Sequence, residues 1–113
     1  MSLVRLQKEI YAWAQSKGWW EKERNIGELL MLMVSELSEA MEEWRHDRME
    51  TWYSDSGSSV SPDKPEGFGI ELADVIIRVL DLAEHLEFNM DELVKIKMEH
   101  NETRDYRHGG LRA

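Results

Sequence analysis

The chain has 113 residues, of which 42% are hydrophobic and 33% are charged, and these values predict one globular domain with a modest core. It contains no cysteine, which excludes disulfides, thiolate zinc sites and cysteine nucleophiles. The net charge of −9 disfavours nucleic acid as a partner, because proteins that bind long polyanions usually present a basic surface. Binding of a small phosphorylated molecule by so acidic a protein would need a bridging cation.

The N-terminal segment and the distribution of apolar residues bear on location. Arg5, Lys8 and Glu9 place charges where a signal peptide would have its apolar core. No apolar run approaches the roughly 20 residues that are needed to cross a bilayer. We therefore expect a cytoplasmic protein that does not enter a membrane.

Helical periodicity dominates the first half of the chain. A first amphipathic helix is predicted over residues 2–17, with Gly18 as its terminator. Asn25 and Glu28 form a capping-box pattern that predicts the start of a second helix, running from residue 26 to about residue 48. The apolar stripe of this second helix, which is expected to face the core, consists of Ile26, Leu29, Leu30, Met33, Leu37, Ala40 and Trp44.

The second half of the chain contains a loop and two further helices. Residues 51–69 are rich in Ser, Gly, Asp and Pro, which is typical of a loop. A third helix, predicted over residues 70–87, is apolar around most of its circumference and should be buried from several sides. A fourth helix should begin at Asn89 or Asp91 and run to about residue 104.

These elements predict a single all-α domain, residues 1–113, of the four-helix-bundle type. The polar, glycine-containing tail, residues 105–113, is expected to be flexible. The third helix has more apolar surface than so small a monomer can cover. We therefore expect a homo-oligomer, either a dimer or a tetramer, that covers the remainder.

Two consecutive helices carry carboxylate pairs with the same i, i+3 spacing. The pairs are Glu36 with Glu39 and Glu71 with Asp74, and residues three apart lie on one helix face. Packing of the two apolar stripes would bring the pairs face to face, and four converging carboxylates are strongly unfavourable without a compensating charge. A divalent cation would supply it, and an all-oxygen site suits Mg²⁺ or Mn²⁺ better than zinc. The alternative is that these are ordinary solvated acids, with Asp74 paired to Arg78 at i+4.

The order of several short motifs resembles a known family. Residues 35–40 (SELSEA) inside a long helix, followed by residues 71–75 (ELADV), resemble the EExxE and ExxD motifs of the all-α nucleotide pyrophosphohydrolase superfamily, in particular its MazG-like members. Residues 97–104 fit the KxxxNxxR segment of that family, and residues 106–110 resemble its usual tail. The resemblance spans about residues 19–110. Ser35 replaces the first Glu of the pattern, and the spacer between the motifs is longer than in compact members.

The resemblance implies an activity and a set of site residues. It implies a homo-oligomeric, Mg²⁺-dependent enzyme that hydrolyses a nucleoside triphosphate to the monophosphate and pyrophosphate, with a site completed by a second subunit. The implied metal-binding and catalytic residues are Glu36, Glu39, Glu71 and Asp74. The implied phosphate-binding residues are Lys97, Asn101 and Arg104, and Trp19 and Trp20 are candidates for stacking on the base.

Alternatives to several of these assignments remain open from the sequence alone. The basic stretch of the fourth helix could be a solvated helix end, and one of the two tryptophans could be a core residue. Glu43 and His46 form an ExxH motif, which occurs in pairs in di-iron bundles, but the only near match to a second motif, Asp105 with His108, lies in the tail. The rival class of function is a non-catalytic helical module that binds a partner through its acidic face.

Overall fold

The computed structural model describes residues 2–104, which form four helices and one short β-hairpin. In chain order the elements are α1 (Leu3–Ser16), α2 (Ile26–Arg45), β1 (Trp52–Ser54), β2 (Lys64–Glu66), α3 (Phe68–His85) and α4 (Met90–Glu102). The prediction of a predominantly helical chain is confirmed. The predicted flexible tail, residues 105–113, lies outside the described residues.

Side-chain caps begin three of the four helices. The side chain of Ser2 accepts a hydrogen bond from the backbone N–H of Arg5, and Asn25 and Asn89 act in the same way at α2 and α4. Each cap satisfies a backbone donor that has no partner inside its helix. The predicted start of α2 at residue 26 is confirmed, α1 begins one residue later than predicted, and Asn89 is the cap of α4 out of the two candidates that the sequence offered.

The ends of the helices differ from the prediction by a few residues. Helix α2 ends at Arg45 rather than near residue 48, because Asp47 adopts a left-handed backbone conformation with φ 57°. Helix α4 ends at Glu102, so that Arg104 lies beyond the helix on whose face it was predicted. Helix α3 begins at Phe68, two residues earlier than expected.

Within residues 51–69 the chain forms a hairpin and the first residues of α3, and the prediction of an irregular loop throughout this range was wrong. Strands β1 and β2 pair antiparallel, with Trp52 opposite Glu66 and Ser54 opposite Lys64. Each strand has only three residues, which is too short for an alternating pattern to be visible in the sequence.

The hairpin is tightly joined to the start of α3. Gly67 has φ 122°, and a Cβ atom on it would lie 2.5 Å from the carbonyl oxygen of Glu50. The backbone N–H of Phe68 donates to the carbonyl of Arg48 at 2.9 Å. Only glycine fits this conformation and this close backbone approach.

Helix α3 is the centre of the packing, because it contacts both α1 and α2, whereas α4 packs against α1. Asp91 at the start of α4 accepts hydrogen bonds from the backbone N–H groups of Leu3 at 2.8 Å and Val4 at 3.2 Å, and so caps α1. Among residues 2–104 the buried apolar side chains are few, namely Ala14, Leu29, Ala40, Leu80, Leu82 and Ala83. Helix α3 is thus buried over part of its surface, while its residues Leu72 and Ile76 remain exposed.

A row of large apolar side chains on α2 is exposed to solvent. These residues, called the α2 seam below, are Leu30, Val34, Leu37, Met41 and Trp44. They recur at alternating spacings of four and three residues, and each is between 47% and 61% exposed. The prediction that the whole stripe faces the core of the chain was wrong for Ile26, Leu30, Leu37 and Trp44, which are all exposed, because the stripe is wider than the contact with α3. Of the helices in residues 2–104, none combines the length and the apolar character that a membrane span requires.

Candidate metal centre

The packing of α2 on α3 brings three of the four predicted carboxylates together. Glu36, Glu71 and Asp74 each offer an oxygen atom that lies within 4.8 Å of the other two, and these residues are called the carboxylate cluster below. Glu39, the fourth, lies one turn further along α2 and is exposed. Its charge nevertheless acts on Glu71, so it stands close to the cluster.

Glu71 is the most buried member of the cluster, with only 8% of its surface exposed. Burial and the neighbouring charge of Asp74, together with a hydrogen bond to Glu36, raise the pKa of Glu71 from 4.5 to about 7. Glu71 lies in the first turn of α3, where the helix dipole favours a negative charge. The effect of burial and of the other carboxylates exceeds this stabilisation.

Asp74 is subject to opposing influences. Burial and the charge of Glu36 raise its pKa, while the positive charges of Arg78 and Lys64 act in the opposite direction. The net direction is upward. Two members of the cluster thus hold a proton more strongly than an isolated carboxyl would, because both are removed from water and lie beside other carboxylates.

Part of the negative charge of the cluster is compensated by Arg78. Its Nε donates to Oε1 of Glu36 at 3.1 Å, and both side chains are largely shielded, with 26% and 16% of their surfaces exposed. The sequence had offered an i, i+4 pair between Arg78 and Asp74 as an alternative to a metal site. Among the described residues Arg78 instead pairs across the helix interface with Glu36.

The donor set fits a hard divalent cation. Three carboxylates from two packed helices supply oxygen ligands only, which suits Mg²⁺ or Mn²⁺. One guanidinium cannot neutralise three acids, and the pKa of Glu71 is raised first by burial and then by the neighbouring carboxylates. A bound cation would remove that imbalance.

A further buried acid of α3, beyond the cluster along the helix, was not singled out from the sequence as a site residue. Asp81 of α3 is only 3% exposed and accepts hydrogen bonds from the indole N–H of Trp20 at 3.0 and 3.1 Å. Burial raises the pKa of Asp81, against the opposing effect of this hydrogen bond. The signal in the sequence was the position of Asp81 on the narrow polar strip of α3, one helical turn beyond Arg78.

The two tryptophans that were proposed for base stacking have different surroundings. The ring of Trp20 is stacked on His85, with centroids 3.8 Å apart and planes 10° apart, and its N–H is bonded to Asp81. Trp19 packs edge-on against Trp13 at 5.0 Å and lines a narrow cleft together with Arg78 and Asp81. Trp19 is therefore the tryptophan that lies beside both the cleft and Arg78, the arginine that is paired with Glu36.

The predicted phosphate-binding residues Lys97, Asn101 and Arg104 are exposed on and just beyond α4. Helix α4 packs against α1, whereas the carboxylate cluster lies between α2 and α3. No side-chain hydrogen bond or ion pair within residues 2–104 connects these three residues to the cluster. Their role stays a prediction.

The ExxH motif does not join the cluster. Glu43 accepts a hydrogen bond from the indole N–H of Trp52 at 3.0 Å, and His46 caps the end of α2, where its Nδ1 lies 2.8 Å from the carbonyl of Glu42. Within the described residues, the metal-like grouping contains neither Glu43 nor His46.

Comparison of the chain with protein-family models, with curated proteins and with solved structures gives no match. The function is therefore inferred from the residues themselves and from the motifs that they form.

Proposed function

We propose that the chain is a Mg²⁺-dependent nucleoside triphosphate pyrophosphohydrolase of the MazG-like, all-α type, able to use Mn²⁺ in place of Mg²⁺. The observation that supports this most strongly is Glu71, a buried carboxylate that lies beside Asp74 of its own helix and meets Glu36 across the interface between α2 and α3. A solvated acidic surface would leave such a residue exposed, because burying an uncompensated charge is unfavourable. Removal of non-standard nucleotides is a role that suits this activity.

The reaction is hydrolysis at the α-phosphorus. The oxygen of a water molecule forms a bond to the α-phosphorus, and the bond between that phosphorus and the oxygen that bridges to the β-phosphorus breaks. Pyrophosphate leaves with the electron pair, and the protons of the water pass to solvent or to a carboxylate. A Mg²⁺ ion held by Glu36, Glu71 and Asp74, with Glu39 as the further ligand, would offset phosphate charge and lower the pKa of a bound water.

Glu39 and Glu43 are the two nearby acids that could orient the attacking water. Glu43 is already engaged by the indole of Trp52 at 3.0 Å. Glu39 is exposed and its carboxylate forms no hydrogen bond among the described residues, so it is free to accept one from water. We therefore assign the orienting role to Glu39, in addition to its role as a ligand.

The substrate is expected to lie across the open side of the cluster. We propose that Trp19, which lines a narrow cleft together with Arg78, stacks on the base. Trp20, which is bonded to Asp81, is the second candidate for this role. Lys97, Asn101 and Arg104 are proposed to hold phosphate oxygens, for which lysine and arginine provide charge-assisted donors.

We also propose that the functional unit is a dimer or tetramer formed through the α2 seam. The seam repeats at the four–three spacing of helix-packing positions, and its side chains are about half exposed or more. The small buried core of a single chain leaves this apolar surface to be covered by a second copy. A second copy could also bring its own basic α4 residues to the cluster.

The experiment that tests the proposed activity is a panel of canonical and modified nucleotides incubated with Mg²⁺ in ¹⁸O-labelled water. We expect pyrophosphate as the product and one ¹⁸O atom in the monophosphate, since the water attacks the α-phosphorus. Release of orthophosphate, or label in the pyrophosphate, would show a different reaction. Absence of turnover across the whole panel would favour a non-catalytic acidic module.

A further inference from the structure

The hairpin turns one of its faces towards α2 and α3. In β1, Tyr53 is exposed, whereas Trp52 on the other side of the strand is half-buried and donates its indole N–H to Glu43 of α2 at 3.0 Å. Residues that lie directly opposite each other in an antiparallel pair point to the same side of the sheet. Lys64, opposite Ser54, and Glu66, opposite Trp52, therefore belong to this inward face.

The position of this face relative to the carboxylate cluster is fixed by the backbone. Strand β2 packs against α3 and is separated from it by Gly67 alone, which fits closely against the backbone of Glu50. The backbone N–H of Phe68 donates a hydrogen bond to the carbonyl of Arg48, and this bond also holds the junction between the hairpin and α3 in place. Glu71 and Asp74 lie in the first two turns of α3. The hairpin therefore adjoins the N-terminal end of α3, which is the end that carries these two acids.

Lys64 belongs to β2, the strand that packs against α3 and directly precedes the turns that carry Glu71 and Asp74. Its positive charge lowers the pKa of Asp74, against the larger effect of burial. Lys64 itself is exposed and forms no ion pair with a described carboxylate within 4.0 Å. Arg78, the other cation that acts on Asp74, is already bonded to Glu36 at 3.1 Å. The ammonium of Lys64 is thus available to an anion that approaches the cluster from solvent.

We propose that Lys64 is a substrate-binding residue whose ammonium group holds the β- and γ-phosphates, the part of the nucleotide that leaves as pyrophosphate. This assignment rests on the proposed pyrophosphohydrolase function. With the α-phosphate at the carboxylate cluster, the remaining two phosphates extend towards solvent, where the hairpin places Lys64. A lysine ammonium is a compact point charge on a flexible stem, which suits phosphates that must be released after each turnover.

The test is a comparison of Lys64→Met with Lys95→Met, a matched loss of an exposed lysine on α4. Loss of one charge-assisted bond predicts a fall in kcat/KM of about 10- to 100-fold for Lys64→Met. It also predicts that the inhibition constant of the product pyrophosphate rises by about 10-fold or more, while the inhibition constant of the monophosphate is unchanged. Lys95→Met should match the native protein in all three measurements, and Lys64→Arg should restore most of the lost activity.

A purely structural role for Lys64 predicts a different pattern. It would lower the melting temperature of the nucleotide-free protein and leave the inhibition constant of pyrophosphate unchanged, which would overturn the assignment. Lys64→Gln provides a second neutral variant and should reproduce the effect of Lys64→Met. If Lys64→Met and Lys64→Gln both kept the kcat/KM of the native protein, the proposed role of Lys64 would be overturned, while the proposed hydrolase function would still stand. A native protein that releases no pyrophosphate would overturn both.

Discussion

Arg78 of α3 donates from Nε to Oε1 of Glu36 on α2 at 3.1 Å, so one member of the carboxylate cluster is paired with a positively charged side chain. This contact joins residues that are 42 positions apart and crosses the interface between the two helices that form the site. It offsets one negative charge of the three. The remaining imbalance falls on Glu71 and Asp74, whose pKa values are both raised.

Replacement of Arg78 by Met should therefore destabilise the metal-free protein. The pair is largely shielded from solvent, and we expect a loss of about 1–3 kcal/mol in the free energy of unfolding, measured by chemical denaturation. Arg45→Met is the matched control, because its ion pair with Glu42 is more than half exposed and should contribute less than about 1 kcal/mol. Added Mg²⁺ should stabilise Arg78→Met more than the native protein, since the site has become more negative. Equal losses of unfolding free energy in Arg78→Met and Arg45→Met would show that Arg78 does not compensate the negative charge of the carboxylate cluster.

The raised pKa of Glu71 predicts a pH dependence of stability. Below pH 4.5 the carboxyl group is protonated in both the folded and the unfolded chain, and its full contribution to stability is present. As the pH rises from 4.5 to about 7, the unfolded chain releases this proton while the folded protein retains it. The contribution of Glu71 is therefore lost through this window, at roughly 1.4 kcal/mol for each pH unit.

Glu71→Gln isolates this contribution, because it removes the titrating group and keeps its size. The stability difference, native minus Glu71→Gln, should fall between pH 4.5 and about 7 in metal-free buffer, as measured by denaturation at a series of pH values. Saturating Mg²⁺ should offset the fall, since the cation stabilises the deprotonated cluster. A difference that is constant with pH would mean that Glu71 titrates as an ordinary surface acid.

Gly67→Ala should disturb the junction between the hairpin and α3. The added Cβ would lie 2.5 Å from the carbonyl oxygen of Glu50, and the backbone at φ 122° is unfavourable for alanine. We expect a loss of about 1–3 kcal/mol in stability, with a fall in activity because Lys64 is displaced. In contrast, Gly69→Ala lies within α3 with no atom near the new Cβ, and it should be neutral or stabilise by up to about 1 kcal/mol. Similar changes in stability for Gly67→Ala and Gly69→Ala would contradict the close backbone approach at Gly67.

Local signals in the sequence were sufficient to locate the starts of α2 and α4 to within a residue or two, and to place the paired acids on one face of each helix. Asn25 and Asn89 cap their helices through bonds to residues three positions away, and Glu71 and Asp74 share a face for the same geometric reason. The sequence could not show which acids become buried. Glu71 is enclosed while Glu39 remains exposed, and that difference depends on how α2 lies against α3.

Contacts between residues that are far apart in the chain also could not be predicted from the sequence. The bond from Trp20 to Asp81 spans 61 positions, and no local pattern announces it. The hairpin was missed because its strands are short and its connection has the composition of a loop. Lys64, the residue that the hairpin brings towards Asp74, was missed with it.

The α2 seam predicts self-association. Leu37→Glu places a charge in the middle of the seam and should convert the dimer or tetramer to a monomer, as measured by light scattering at micromolar concentration. Val60→Glu is the control, because Val60 is 90% exposed in the connection between β1 and β2, away from the seam. A native protein that is monomeric at this concentration would contradict the proposed assembly.

The central claim, that the carboxylate cluster holds the catalytic metal, is tested most directly by Mg²⁺-dependent pyrophosphate release from Glu71→Gln. Glu99→Gln, an exposed acid on α4, serves as the control and should retain the native rate. We expect Glu71→Gln to lose on the order of 100-fold or more in rate, because it removes a hard ligand and a negative charge from the metal site. Its melting temperature without metal should be equal to or above that of the native protein, since a repulsive charge has gone. A Glu71→Gln protein that matches Glu99→Gln in Mg²⁺-dependent rate would contradict the assignment of this cluster as the catalytic centre.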